Sequence, residues 1–324
     1  IKWHLFQNIV SDVANILVEA RDITLYLLPL KKIIDRIAGV DLDDSKDLIR
    51  PLVLNVSLVW GSSKYFCRVE NMAMLFRLMH NMLIDCAIKS LGSESLLQGE
   101  VDEGANKLKI VFDILKNYKE VYEECKMSLD KFKSDPKSKP QDWTWHDSYI
   151  FGRFDRFYER LTEINNMFSL CMEILKLEKI EISGLKGRYI SKALVEILDE
   201  YNTLSRKWGL ISYNPLDPDP EATEFSKELK QFLKDLEVLQ RKIGYQFEKA
   251  FDDCGEIYQT IQLIQICGSL LHLPVIKNQV QTRMYNIVVQ FSDELDVVKL
   301  TFDDFLKKYR KDGIKVKAKV VFEN

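Results

Sequence analysis

The side chains that most often carry chemistry are present in this chain but scattered. Its four histidines, His4, His80, His146 and His272, share no HExxH pair and no cysteine at ligand spacing, so the sequence writes no zinc motif. The six cysteines, Cys67, Cys86, Cys125, Cys171, Cys254 and Cys267, include no CxxC pair. Cys86, Cys125, Cys171 and Cys267 fall on apolar rows, where a thiol behaves as a small buried hydrophobe, and the set reads as reduced thiols. Acidic pairs such as Asp43-Asp44, Glu123-Glu124, Asp252-Asp253 and Asp303-Asp304 lie on charged faces and caps, where carboxylates ordinarily meet solvent. Neither GxxxxGK[ST], GxGxxG nor GxSxG occurs. The stretch Gly184-Leu185-Lys186-Gly187-Arg188 comes nearest to a phosphate loop and reads better as a helix-ending turn. No catalytic, cofactor-binding or metal-ligating residue is assigned, and the chain is expected not to be an enzyme in itself.

What remains is chemistry suited to holding partners. Arg153, Arg156 and Arg160 lie three and four residues apart on one helical face, well placed for the carboxylates of a neighbour. The residues interleaved with them, Phe151, Phe154 and Phe157, with Trp143 and Trp145 just ahead, read as core at helical spacing. Lys307, Lys308, Arg310 and Lys311, continued by Lys315, Lys317 and Lys319, form a cationic stretch with Asp312 as its only acid. Such a stretch is either a solvated face or a contact for an acidic partner. The whole chain balances 46 basic against 49 acidic residues for a net charge of -3, which removes the simplest case for nucleic acid. Its most apolar segments are short or interrupted, as Ala73 to Ile88 is by Arg77, His80, Asn81 and Asp85, so no membrane span is expected. The first residue is Ile1 rather than Met, and the chain is expected to be an internal piece of something longer.

The elements that must position these residues are helices. Only 13 Gly and 8 Pro occur in 324 residues, too few turns for a many-stranded sandwich or barrel. Apolar rows at 3 and 4 spacing run Phe6 to Ile37 with a kink or restart at Pro29, Leu48 to Trp60 interrupted by Pro51, and Val69 to Cys86. After a polar loop over Gly92 to Gly104, the next row runs Leu108 to Phe132. Further rows are Phe151 to Leu175, Ile190 to Trp208, a helix starting at Pro220 behind an Asp219 cap, Cys254 to Leu271, and Val280 to Tyr309. Ile180 to Ile182 and the tail from Ile314 alternate as extended segments. The expected fold is all-α: consecutive antiparallel helical bundles forming an elongated rod, with a short extended segment at the C-terminal end. Residues 1-133 form the first bundles, 134-146 a Pro-containing linker, 147-312 a second set, and 313-324 an extended basic end.

From Trp143 onward the chain resembles the N-terminal tail of dynein heavy chains. The stretches that carry the resemblance are Phe151-Gly152-Arg153-Phe154-Asp155-Arg156-Phe157-Tyr158-Glu159-Arg160-Leu161 and Leu177 to Gly187. Tyr213-Asn214-Pro215-Leu216-Asp217, Ala250-Phe251-Asp252-Asp253, Leu273-Pro274-Val275-Ile276 and Glu294-Leu295-Asp296-Val297-Val298 then keep the family's order. In the first half, Val59-Trp60-Gly61-Ser62-Ser63-Lys64-Tyr65-Phe66 is similar to the Trp-x-x-Ser segment of axonemal heavy chains. The resemblance implies a non-catalytic tail segment of a ciliary motor. It would join other dynein heavy chains, intermediate chains and light chains and dock to structures on doublet microtubules, with the ATPase ring far downstream. Its place would be the cytoplasm, the cytoskeleton and the axoneme of a cilium or flagellum, with no nucleic acid, membrane or cofactor involved. A generic helical scaffold, such as the rod subunit of a vesicle-tethering complex, would share the composition but not these motifs.

Overall fold

The computed structural model describes residues 2–63, 65–66, 68–92, 96–128, 143, 145–180, 184–208, 210–211 and 213–312. Among them there is no strand, and the elements are α1 (Lys2–Asp22), α2 (Leu28–Gly39), α3 (Lys46–Ser62), α4 (Val69–Leu91), α5 (Val101–Met127), α6 (Asp147–Leu175), α7 (Gly184–Trp208), α8 (Glu224–Asp252), α9 (Ile257–Cys267) and α10 (Pro274–Asp312). The all-helical expectation holds. The expected extended end at 313-324 and most of the 134-146 linker lie outside the described residues, as do Glu181 and Ile182.

The chain divides into two compact units, Ile1–Met172 with Asn202–Asp235, and Glu173–Tyr201 with Leu236–Asn324. In the first, α3 packs on α2 and α5 and α4 packs on α5. The seam holds Ile49, Leu52, Val56, Met72, Phe76, Leu108, Val111 and Leu115, all essentially without solvent contact. Each such side chain contributes roughly 1.5–3 kcal/mol when fully buried, which helix propensity alone does not approach. Rings join the two sides of the Pro136–Pro140 stretch: His80 of α4 stacks on Phe151 of α6 at 4.4 Å, and Tyr122 of α5 meets Phe151 edge-on at 4.8 Å. In the second unit, the buried residues Leu194, Leu239, Ile243, Phe247, Leu270, Leu273 and Ile276 come from α7, α8, the turn after α9 and α10.

Several boundaries differ from the sequence reading, among them Gly184, which opens α7 where the Gly184–Arg188 stretch reads as a helix-ending turn. Pro29 restarts its helix as expected, standing in the first turn of α2. A π turn over Ile23–Leu27 precedes it, the Leu28 N–H donating to the Ile23 carbonyl, and this looser turn absorbs the N–H that Pro29 lacks. Pro51 does not interrupt α3. Its ring faces solvent, so the carbonyl it strands can reach water while Ile49, Leu52 and Val53 anchor the same turns in the core. Helix α5 begins at Val101, inside the stretch read as a loop, and Gly104 stands in its first turns because Phe168 of α6 presses on it; a Cβ there would lie 2.6 Å from the Phe168 ring. Helix α8 begins at Glu224, not Pro220. The Asp219 carboxylate instead accepts the Glu221 N–H at 3.0 Å, the last of three Asx turns after Asn214 and Asp217.

Candidate functional site

The arginine ladder of α6 is built by helical spacing, with Phe151, Phe154 and Phe157 on the buried side and the guanidiniums along the edge. Arg153, exposed like Arg156, donates to Asn81 Oδ1 at 2.7 Å. Arg156 Nε donates to the Pro218 carbonyl at 3.3 Å. Arg160 donates to the Pro215 carbonyl at 3.1 Å and to Ser226 Oγ at 3.4 Å, approaches Glu163 at 3.5 Å, and lies over the Phe225 ring at 4.4 Å. Only 10% of the Arg160 side chain is exposed. Burial pulls its pKa down from the usual value, with Glu163 and Asp217 opposing. The planar fork is what lets one residue hold two loop acceptors and a ring face together, so two of the three arginines shape the Pro215–Pro220 connector.

The basic end is arranged differently. Lys307 pairs loosely with Asp304 at 3.4 Å, and Lys308 and Arg310 are exposed on α10. Lys311 is helical, but its side chain lies outside the described residues.

Two polar knots were not singled out by sequence reasoning. In the first, the buried Asp22 carboxylate accepts from Ser63 Oγ at 2.5 Å and from the Tyr65 N–H at 2.7 Å, while Ser63 Oγ accepts the Phe66 N–H at 2.7 Å. The Trp60–Phe66 segment is thereby tied to the end of α1, and Tyr26 adds a bond from its hydroxyl to the Ser62 carbonyl at 3.2 Å. The signal was the Ser63 motif itself; its partner, 41 residues away, was not legible. In the second knot, His80 Nδ1 lies 3.0 Å from the Ile150 carbonyl, so this nitrogen carries the proton and donates. Burial lowers the His80 pKa to about 4, the backbone bond and Asp155 opposing. Lys119 pairs with Asp155 at 2.5 Å and sits 5.5 to 5.7 Å from the Phe154 and Tyr158 ring centres.

Helices α7 and α8 leave an open groove of about 540 Å³ lined by Ile197, Glu200, Val238, Arg241, Lys242 and Tyr245. Lys242 closes on Glu200 at 2.6 Å, and the lining mixes both charges evenly. Among the described residues no three His, Cys, Asp or Glu side chains gather as a metal site, and no helix is long and apolar enough to cross a membrane. The geometry on view is that of helices packed through apolar rows and tied by polar side chains.

Comparison with known proteins agrees with that character. Residues 2–317 match the family described as "Dynein heavy chain, N-terminal region 1". The chain is 28% identical over 304 residues to "Dynein axonemal heavy chain 17" of Homo sapiens, covering 93% of this chain and 7% of that protein. It is 28% identical over 308 residues to "Dynein beta chain, ciliary" of Heliocidaris crassispina, covering 95% and 7%. To "Dynein beta chain, flagellar outer arm" of Chlamydomonas reinhardtii it is 26% identical over 302 residues, covering 93% and 6%. The chain thus spans about 7% of the length of these relatives.

Proposed function

Because the chain belongs to the dynein heavy chain N-terminal region 1 family, we propose that it is a non-catalytic tail segment of an axonemal dynein heavy chain, working by holding subunits through helix faces. The observation that carries this reading is the family match over residues 2–317, joined to relatives whose names are axonemal, ciliary and flagellar. The proposed partners are other heavy chains, intermediate chains, light chains and docking structures on doublet microtubules, in the axoneme of a cilium or flagellum. ATP hydrolysis belongs, on this reading, to parts of the motor outside this segment. Exposed Arg153 and the row Lys307, Lys308, Arg310 and Lys311 are the proposed partner contacts; Arg156 and Arg160 contribute by fixing the connector beside them.

The experiment is to immobilise the purified chain and pass ciliary extract over it. Enrichment of dynein intermediate chains, with no nucleotide turnover by the chain, is expected. ATPase activity that follows the chain through purification, or capture of vesicle-tethering subunits in place of dynein chains, would overturn the proposal.

A further inference from the structure

Helix α8 carries two apolar rows. Leu236, Leu239, Ile243 and Phe247 are at most 2% exposed, and at about 100° per residue they share one side of the helix. Val238 and Tyr245 lie about 150° away from that row, at 45% and 63% exposure, where a polar face is expected. Both line the open groove of about 540 Å³ between α7 and α8, which Ala193 and Ile197 line from the other side. All of these residues belong to the second unit. The charges along the groove are sorted by helix: α7 contributes Glu196 and Glu200, and α8 contributes Arg241 and Lys242. Glu200 and Lys242 satisfy each other at 2.6 Å. Glu196 has no ion pair among the described residues, and Arg241 reaches only Glu237 of its own helix, at 3.9 Å. One wall therefore keeps a carboxylate to spare and the other a guanidinium.

We propose that this groove seats one amphipathic helix of a partner protein, its apolar stripe flanked by Lys or Arg on the α7 side and by Asp or Glu on the α8 side. The stripe covers Val238 and Tyr245, the cation meets Glu196, and the carboxylate meets Arg241. Val238 and Tyr245 are about 11 Å apart along α8, so two turns of the incoming helix span them. Turning that helix end for end would exchange its flanks, so walls of opposite sign also fix the direction in which it lies. A helix with like charges on both flanks sets one of them against its own sign. The inference deepens the docking role proposed above and rests on that role for its setting, while the groove itself belongs to α7 and α8 alone.

The test uses the 324-residue chain and synthetic three-heptad helices with leucine at the a and d positions. Binding is followed by fluorescence anisotropy, below the concentration at which the peptides self-associate. A peptide with Lys on one flank and Glu on the other should bind saturably, about fivefold tighter than peptides with Lys on both flanks or Glu on both. Val238→Lys with Tyr245→Lys, both at exposed positions, should raise its dissociation constant at least about tenfold without changing helix content. Glu196→Lys should move the preference to the peptide with Glu on both flanks, and Arg241→Glu to the one with Lys on both. No saturable binding, binding that survives the Val238 and Tyr245 substitutions, or a flank preference indifferent to both charge reversals would each overturn the proposal. No ciliary component enters this measurement, so its failure leaves the family reading standing, and failed capture from ciliary extract leaves the groove standing.

Discussion

His80 sits in an aromatic box with its Nδ1–H spent on the Ile150 carbonyl, and its Nε2 has no partner. Adding a proton there would place an unsolvated charge against the Phe151 ring, which is why burial holds its pKa near 4, below the ordinary 6.5. The unfolded chain therefore takes up this proton first on acidification. The neutral-His80 contribution is complete above about pH 6.5, and stability falls as the pH drops from 6.5 towards 4, by on the order of 3 kcal/mol in all. Urea midpoints measured across that range should fall with pH, and His80→Phe should flatten His80's share of the slope. The Asp22 knot gives a second test. Asp22→Ala leaves Ser63 Oγ and the Tyr65 N–H without their acceptor and is expected to cost about 1–3 kcal/mol in equilibrium unfolding, while Asp12→Ala on the exposed part of α1 should cost next to nothing. Neither knot was legible beforehand. A lone histidine on an apolar row and one aspartate among 49 acidic residues acquire their meaning only from neighbours 40 to 70 positions away.

At the scale of elements, the rows were legible because burial imposes the 3.6 period directly. Phe151, Phe154, Phe157, Leu161 and Ile164 predict the buried side of α6, and all five are at or near zero exposure apart from Phe151 at 4%. The ends were less legible because they depend on which helix approaches. Gly104 looked like loop punctuation and is instead the gap into which Phe168 fits; Gly244 plays the same part between α8 and α10. A Cβ on Gly244 would collide with Val275, and its carbonyl already accepts from Gln279 Nε2 at 2.9 Å. Gly244→Ala is therefore expected to destabilise the second unit by about 1–3 kcal/mol even though alanine favours helix. Gly39→Ala, which meets nothing within 4 Å, is the matched control. Thermal unfolding followed by circular dichroism distinguishes them. The arginine ladder shows the same division: its spacing was readable, but not that Arg156 and Arg160 would be spent on the carbonyls of Pro218 and Pro215.

For the molecule as a whole, the feature that composition could not disclose is how much apolar surface stays uncovered. Trp3, Phe6, Ile9, Val13, Ile16 and Leu17 on α1 are each at least 50% exposed, far more contiguous apolar area than an isolated soluble protein usually shows. The native chain should accordingly enhance the fluorescence of an apolar dye at neutral pH, and captured partner chains should reduce that signal. The apolar spacing read this row as a buried stripe, and the structure corrects that for α1: Phe6, Ile9, Val13 and Ile16 are exposed, because no other described element packs over them. The direction in which α1 presents them is fixed by the π turn at Ile23–Leu27. A turn closed from Leu28 to Ile23 holds one residue more than an α turn, so it works as a phase shifter, rotating the α1 stripe by about 100° relative to α2. Deleting Thr24, whose exposed hydroxyl bonds back to the Ala20 carbonyl, would leave a uniform helix and re-aim every exposed apolar side chain of α1 at once.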